Sequence, residues 1–232
     1  MPINNSRLTV LRKAPLILLC LFFITSLPLH AQNEKPVFKH LTVEDGLSNN
    51  WVKAIIKDRS GFMWFGTFNG LNRYDGKTFK VFQVGGKNDL NDNLIESMLE
   101  DTDGNIWVGT FSGGLNRFDR KTETFTHFQH TPNVASTVSG NRINVIYQDK
   151  QGKLWVGTDK GLDLYDYPTQ TFRHFKHDPE NPASLSDDFV SAIVQDSKGV
   201  LWVGTQNGLN YYIHATDNFF RYQHREFDLN GL

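Results

Sequence analysis

The chain reads as an all-β protein, a β-propeller of four Trp-x-Gly-Thr blades with four antiparallel strands each. Three observations carry this reading. The motif occurs as Trp64-Phe65-Gly66-Thr67, Trp107-Val108-Gly109-Thr110, Trp155-Val156-Gly157-Thr158 and Trp202-Val203-Gly204-Thr205. Its tryptophans follow one another at 43, 48 and 47 residues, a period that marks a blade-by-blade repeat. Between the motifs, short runs rich in β-branched and aromatic residues alternate with Asp- and Gly-containing turns, as in four-stranded blades.

The first blade shows each element. Val52 to Asp58 is a β-branched run, strand A. Asp58-Arg59-Ser60-Gly61 is a turn in which Asp bonds back to the backbone and Gly accepts a left-handed conformation. Strand B is Phe62 to Gly66, and strand C runs from Leu71 to Asp75 after a short loop ending in Gly70. Asp75-Gly76 turns the chain into strand D, Thr78 to Phe82. The Asp-x-x-Gly spacing recurs at Asp101/Gly104, Asp149/Gly152 and Asp196/Gly199. The repeats predict blades at about 50–83, 93–129, 141–176 and 188–223 within a 32–232 propeller, with an extra strand at about 37–41. The Trp and Gly of the motif are expected to be packing elements, since no blade buries an indole alone.

The first 31 residues differ in kind. Arg7, Arg12 and Lys13 precede an apolar run from Ala14 to Leu29, followed by His30-Ala31-Gln32. This is the pattern of a secretory signal peptide cleaved after Ala31, and the run falls short of the roughly 20 residues that span a bilayer. An uncleaved anchor is the alternative. Cys20, the only cysteine, follows Leu18-Leu19 and so lacks the small residue that lipidation needs. Cleavage leaves 21 Lys and Arg against 25 Asp and Glu, and no disulfide to form. The mixed-sign surface has no basic stripe, which argues against nucleic acid as a partner.

At the level of single letters the repeat becomes recognisable. Ile146-Tyr147-Gln148-Asp149 through Gly161-Leu162, and Ile193-Val194-Gln195-Asp196 through Gly208-Leu209, resemble the two-component regulator propeller repeat. The first two blades fit with small departures, Phe65 for an aliphatic residue and the added Gly113-Gly114. That family's repeats build periplasmic sensor domains of large histidine kinases, often hybrid two-component systems responding to glycan fragments. The resemblance therefore implies a non-catalytic periplasmic sensor propeller, without cofactor, whose partners are an oligosaccharide or other small ligand and downstream sensor-kinase domains. It also implies a homodimer in a full-length parent and phosphorelay through domains outside this chain.

Each of the four repeats has its own D strand, so an N-terminal strand at 37–41 would have no A-B-C partner. This points to part of a larger propeller of about seven blades; closure as four blades, giving a stand-alone secreted binding module, is the other arrangement.

Candidate chemistry is sparse. His127/His130 and His174/His177 share an i, i+3 spacing that, at a strand end, points to opposite faces and does not make a metal site. The turn aspartates recur at one blade position, a ring and not the facing pair that glycoside hydrolysis needs. Binding is better placed on the B-to-C and D-to-A loops, which emerge on one face of a rigid scaffold. The B-to-C loops carry Phe68-Asn69, Phe111-Ser112, Asp159-Lys160 and Gln206-Asn207; the D-to-A loops carry Asn88 to Asn93 and Asp187-Asp188. The candidate ligand-binding residues are Asn69, Arg73, Ser112, Arg117, Asp159, Lys160, Gln206 and Asn207. Arg73 and Arg117, in strand C, serve equally well as cross-strand pairing residues.

Overall fold

The computed structural model describes residues 38–85 and 89–223. Residues 1–31, where the sequence predicts a signal peptide, lie outside the described residues. Residues 41–232 form a unit separate from 1–40, and that unit is the propeller. Its first sheet contains β1 (Val52–Lys57), β2 (Met63–Thr67), β3 (Gly70–Tyr74) and β4 (Phe79–Phe82). The second contains β5 (Ile95–Glu100), β6 (Ile106–Thr110), β7 (Leu115–Asp119) and β8 (Thr124–Phe128). The third contains β9 (Ile143–Gln148), β10 (Leu154–Thr158), β11 (Leu162–Asp166) and β12 (Thr171–Phe175). The fourth contains β13 (Val190–Gln195), β14 (Leu201–Thr205), β15 (Gly208–Ile213) and β16 (Asn218–Tyr222). Every pairing is antiparallel between strands consecutive in the chain.

Of the extra strand expected at 37–41, Val37 lies outside the described residues and Phe38 to Leu41 form no strand. Each sheet already has its fourth strand. The chain instead enters a short 3-10 turn, Val43–Asp45, capped by Thr42, whose backbone N–H donates to Asp45 Oδ2 at 2.9 Å.

The core lies between sheets. Three apolar clusters are present among the described residues, each shared by two consecutive blades. Trp64, Trp107 and Trp155 are fully buried. Each meets an aromatic ring of the following blade edge-on: Phe118 at 5.2 Å, Tyr165 at 5.0 Å and Tyr212 at 5.0 Å. Burying an indole removes on the order of 150–250 Å² from water, worth at most a few kcal/mol at ~25 cal/mol per Å².

The motif glycine sits where the next blade's innermost strand arrives. A Cβ on Gly66, Gly109 or Gly157 would lie 2.5–2.6 Å from the side chain of Ile95, Ile143 or Val190 respectively. Glycine is therefore needed here for close approach, not for an unusual backbone angle.

The innermost strands pack in order, β1 on β5, β5 on β9 and β9 on β13. Among the described residues β13 is not packed against β1 in the same way, so the four blades form an arc and do not close. The end faces show it. Among the described residues Trp202 meets rings of its own sheet only, Tyr211 edge-on and Tyr222 stacked, and Val194, Phe220 and Tyr222 are exposed. On the first blade Ile55 and Val81 are exposed.

Two substitutions read this packing. Trp107→Ala should cost about 3–5 kcal/mol in urea unfolding, and Trp202→Ala clearly less. Gly157→Ala should destabilise by about 1–3 kcal/mol through overpacking against Val145 and Val190. Gly204→Ala should be tolerated, because its added Cβ meets nothing closer than Ala192 at 3.4 Å.

Candidate ligand-binding face

The A-to-B turns at one end of the blades are closed by their aspartates. Asp58 Oδ2 accepts the Trp64 indole N–H at 2.7 Å while Oδ1 accepts the backbone N–H groups of Ser60 and Phe62. Asp101, Asp149 and Asp196 repeat the arrangement, accepting from Trp107, Trp155 and Trp202 at 2.7, 2.9 and 3.1 Å. Burial opposes ionisation of Asp58, but the indole, the Phe62 N–H and Arg120 outweigh it and hold the carboxyl below its ordinary range. Asp196 is likewise lowered, by the Val200 N–H first and then by the Trp202 indole. Three donors on one carboxylate make these residues turn and indole acceptors.

This end also carries a clasp between blades that sequence reasoning missed. The residue just before the Asp in blades two to four, Glu100, Gln148 or Gln195, accepts the backbone N–H of Arg59, Thr102 or Lys150 of the preceding blade at 2.8–2.9 Å. Arg120 adds to it, reaching Asp58 Oδ2, Glu100 Oε1 and the Gly104 carbonyl.

The opposite end carries the B-to-C and D-to-A loops. The motif threonine anchors it: Thr67, Thr110, Thr158 and Thr205 each donate Oγ1–H to the carbonyl of Gly70, Gly114, Gly161 or Gly208 at 2.9–3.0 Å. In three blades a D-to-A serine bonds the threonine hydroxyl: Ser48–Thr67, Ser139–Thr158 and Ser186–Thr205. A buried strand-C residue receives that serine's backbone N–H: Asn72, Asp163 or Asn210, at 2.8–2.9 Å.

The loop polar groups are mostly consumed in the same way. Asn49, Asp92 and Asp187 accept the N–H two residues ahead, from Trp51, Leu94 and Phe189, the Asx-turn bond of such residues. Asn93, Asn141 and Asp188 accept the N–H of Val84, His130 and His177. Asn91 donates to the Gly113 carbonyl and keeps its buried Oδ1 without a partner. Asn88 lies outside the described residues.

The eight candidate residues divide. Asn69, Ser112, Asp159, Lys160, Gln206 and Asn207 lie together on the B-to-C turns of this face, and all but half-buried Asp159 are exposed. Ser112 is held by Asp92 Oδ2 through its N–H and hydroxyl at 2.7 and 2.8 Å. Arg73 and Arg117 lie elsewhere. Arg73 covers Phe62 and Trp64 and pairs with Glu123 of the next blade at 3.0 Å. Arg117 covers Trp107 and Phe128. A long cationic side chain beside a packed aromatic is drawn over its ring, so these two serve packing, the alternative that their strand-C position leaves open.

One backbone bond recurs around the inner rim of the face. The B-to-C residues Phe68, Phe111, Asp159 and Gln206 donate their N–H to the carbonyls of Trp51, Leu94, Arg142 and Phe189 at 2.9–3.3 Å. Trp51 and Phe68 meet edge to face at 4.7 Å, and Trp51 and Phe111 are exposed. The rim thus offers aromatic surface beside the amide and hydroxyl groups of the turns.

The paired histidines serve the frame. His130 and His177 Nδ1 lie 3.0 and 2.7 Å from the carbonyls of Val138 and Leu185. His127 Nδ1 meets Asn116 Oδ1, and His174 Nδ1 meets Asp163 Oδ1 at 2.6 Å. His174 Nε2 faces the Ala135 carbonyl at 2.7 Å. With an oxygen acceptor facing each nitrogen, the imidazolium form of His174 donates twice. Ser139, Asp163 and His174 do not make a nucleophilic relay, because Ser139 bonds Asp163 and not the imidazole.

The hydrogen bond to Asp163, against the opposing effect of burial, raises the His174 pKa above its ordinary 6.5. The folded state therefore holds this proton more tightly than the unfolded state. The stabilisation is complete below about pH 6.5 and is lost as pH rises through the raised value. The stability gap between the native chain and His174→Gln, from urea unfolding, should be largest at pH 6 and shrink by pH 9; a gap independent of pH would contradict this assignment.

Four stretches, 46–69, 89–112, 137–160 and 184–207, match the family described as Two component regulator propeller. Over 63 residues the chain is 46% identical to Histidine kinase P4 of Formosa agariphila, covering 27% of this chain and 5% of that protein. Two solved extracellular domains from B. thetaiotaomicron, described as belonging to hybrid two component systems, are each 25% identical. One covers 78% of this chain and 31% of its own with a TM-score of 0.60, the other 80% and 27% with a TM-score of 0.67. The chain thus spans about a third or less of the length of these relatives. Virginiamycin B lyase from Staphylococcus aureus, 14% identical over 75% of this chain and 55% of its own with a TM-score of 0.54, shares the fold alone. Four copies in order, one on each propeller blade, show that the chain is built of the two-component regulator propeller repeat.

Proposed function

We propose that the chain is the non-catalytic ligand-sensing part of a two-component sensor histidine kinase, exported to the periplasm by its N-terminal segment. Its ligand is glycan-derived and binds on the loop face, where Asn69, Ser112, Asp159, Lys160, Gln206 and Asn207 are the contacts. Phosphorelay is performed by domains outside this chain, in a parent that is a homodimer and whose propeller has about seven blades. The observation that carries this reading is the contrast between the two ends of the blades. The Asp turns spend their side chains on the repeat's own network, whereas the loop face holds exposed amides, a lysine and aromatic rings on a rigid frame. Such groups suit sugar hydroxyls and ring faces, and loops on rigid scaffolds are where binding concentrates. The open end faces support a larger propeller, because exposed apolar sheet faces of this kind are normally covered.

Signalling would follow from differential binding. A ligand that bridges loops of neighbouring blades favours one blade arrangement over another, and only that difference can bias a kinase.

The test is a thermal-shift screen of the chain against oligosaccharide pools. A ligand at about 100 times its Kd stabilises by about 2.7 kcal/mol, on the order of 5 °C or more for a domain of this size. Lys160→Ala combined with Asn207→Ala should reduce the shift without lowering the melting temperature of the free protein. The absence of a shift with every pool, or a shift indifferent to both substitutions, sinks the loop-face reading.

A further inference from the structure

One cation on the loop face stands apart from the network around it. Arg142 immediately precedes β9, and its guanidinium carbon lies 4.7 Å from the centre of the Phe111 ring and 5.4 Å from that of Phe189. Phe111 belongs to the second blade, Arg142 to the third and Phe189 to the fourth. The residue is half-buried. Its Nε is enclosed without a partner. Among the described residues none of the guanidinium nitrogens donates a hydrogen bond and no carboxylate pairs with it. Arg59, Arg73 and Arg120 by contrast each hold a carboxylate at 2.6–3.0 Å, and Arg221 holds carbonyls; Arg117 also lacks such a partner, but it covers rings of its own blade only and has no enclosed nitrogen.

A partly desolvated guanidinium with unused donors carries an unpaid electrostatic cost. Two ring faces hold its plane and lower the entropy lost when it binds. The unmatched partner is a planar or near-planar oxyanion taken by two parallel N–H groups. Beside it, Asp159, whose backbone N–H bonds the Arg142 carbonyl, keeps a buried Oδ1 without a donor; this oxygen repels an oxyanion and is matched only by a donor such as a sugar hydroxyl. The exposed Phe111 ring adds an apolar platform next to the charge.

We propose that the loop face of blades two to four is a subsite for an acidic saccharide, with Arg142 binding an oxyanion carried on the sugar, a uronate carboxylate or a sulfate ester. The assignment rests on the glycan-sensing reading of the same face and makes it specific. The Phe111 and Phe189 rings orient the guanidinium, and Phe111 lies against the sugar ring. Since three blades contribute, a ligand seated here ties them together.

The test is calorimetric titration of the full chain with three probes of matched length: oligogalacturonate, a sulfated galacto-oligosaccharide and a neutral galacto-oligosaccharide. At least one acidic probe should bind more tightly than the neutral one, and its affinity should fall as salt rises. Arg142→Gln should weaken that binding about ten- to a hundred-fold, the usual cost of losing a charge-assisted pair, with the neutral probe unaffected. Arg142→Lys, which keeps the charge but loses the planar fork, should fall between and guards against loss of fold, checked by the melting temperature of each variant. Binding of the carboxylate probe alone identifies a uronate site, and of the sulfated probe alone a sulfate site; either supports the proposal. Acid binding unchanged in Arg142→Gln overturns it. Equal binding of neutral and acidic probes overturns it while leaving the glycan-sensing reading intact. Failure of these probes and of every oligosaccharide pool removes both.

Discussion

The buried indole of each of the first three blades is the interaction on which the structure depends, and it imposes two demands at once. Its ring must be covered by the next blade, and its N–H must find an acceptor away from water. The following sheet meets the first demand through Phe118, Tyr165 and Tyr212. The Asp six residues earlier meets the second. That Asp is held in place by backbone donors of its own turn, so turn shape, carboxylate position and indole orientation are one linked arrangement. The glycine two residues after the Trp belongs to it as well, because the strand that covers the indole passes where a side chain would stand.

This linkage explains why the blades form an arc with unequal ends. The three interior interfaces repeat the same contacts, and each needs groups from both neighbours. Blade four presents Trp202 and Gly204 with no following strand among the described residues to meet them. Blade one presents Lys57 where the later blades have Glu100, Gln148 and Gln195, the acceptors of the interblade clasp. A lysine ammonium has no acceptor. The first blade is therefore not interchangeable with the others as a partner for a preceding blade, which gives the arc a direction.

What was legible in the sequence was local or periodic. Neighbouring strand runs, the Trp motif and the Asp-x-x-Gly turn of one blade lie within a dozen residues of one another, and the Trp period of 43 to 48 residues repeats that unit. What was missed joins residues far apart in sequence. The Ser–Thr–Asn connection spans 19 and 24 residues, and the clasp from Arg59 to Glu100 spans 41. Arg73 and Arg117 sit on strands whose register was readable, but their rings and their carboxylate belong to other strands and to the neighbouring blade. Of the stretch expected as a strand at 37–41, the described residues Phe38 to Leu41 join no sheet. A single strand is stable only if a sheet edge receives it, and periodicity cannot supply the edge.

The same reasoning separates frame from function on the loop face. At the position before each innermost strand the chain has Trp51, Leu94, Arg142 and Phe189, and at the matching B-to-C position Phe68, Phe111, Asp159 and Gln206. The fold asks the same thing of all eight, a backbone N–H bonded to a carbonyl. Because only main-chain atoms meet that demand, the side chains are released from it, and their chemistry differs from blade to blade. The positions one step outward show the opposite behaviour: threonine repeats in all four blades and serine with a strand-C Asn or Asp in three, and their side chains are part of the frame. Variation confined to positions whose backbone role is constant is what a scaffold allows where a surface is free to be shaped to a ligand. Arg142, between Phe111 and Phe189, lies where such variation has placed an unmatched charge.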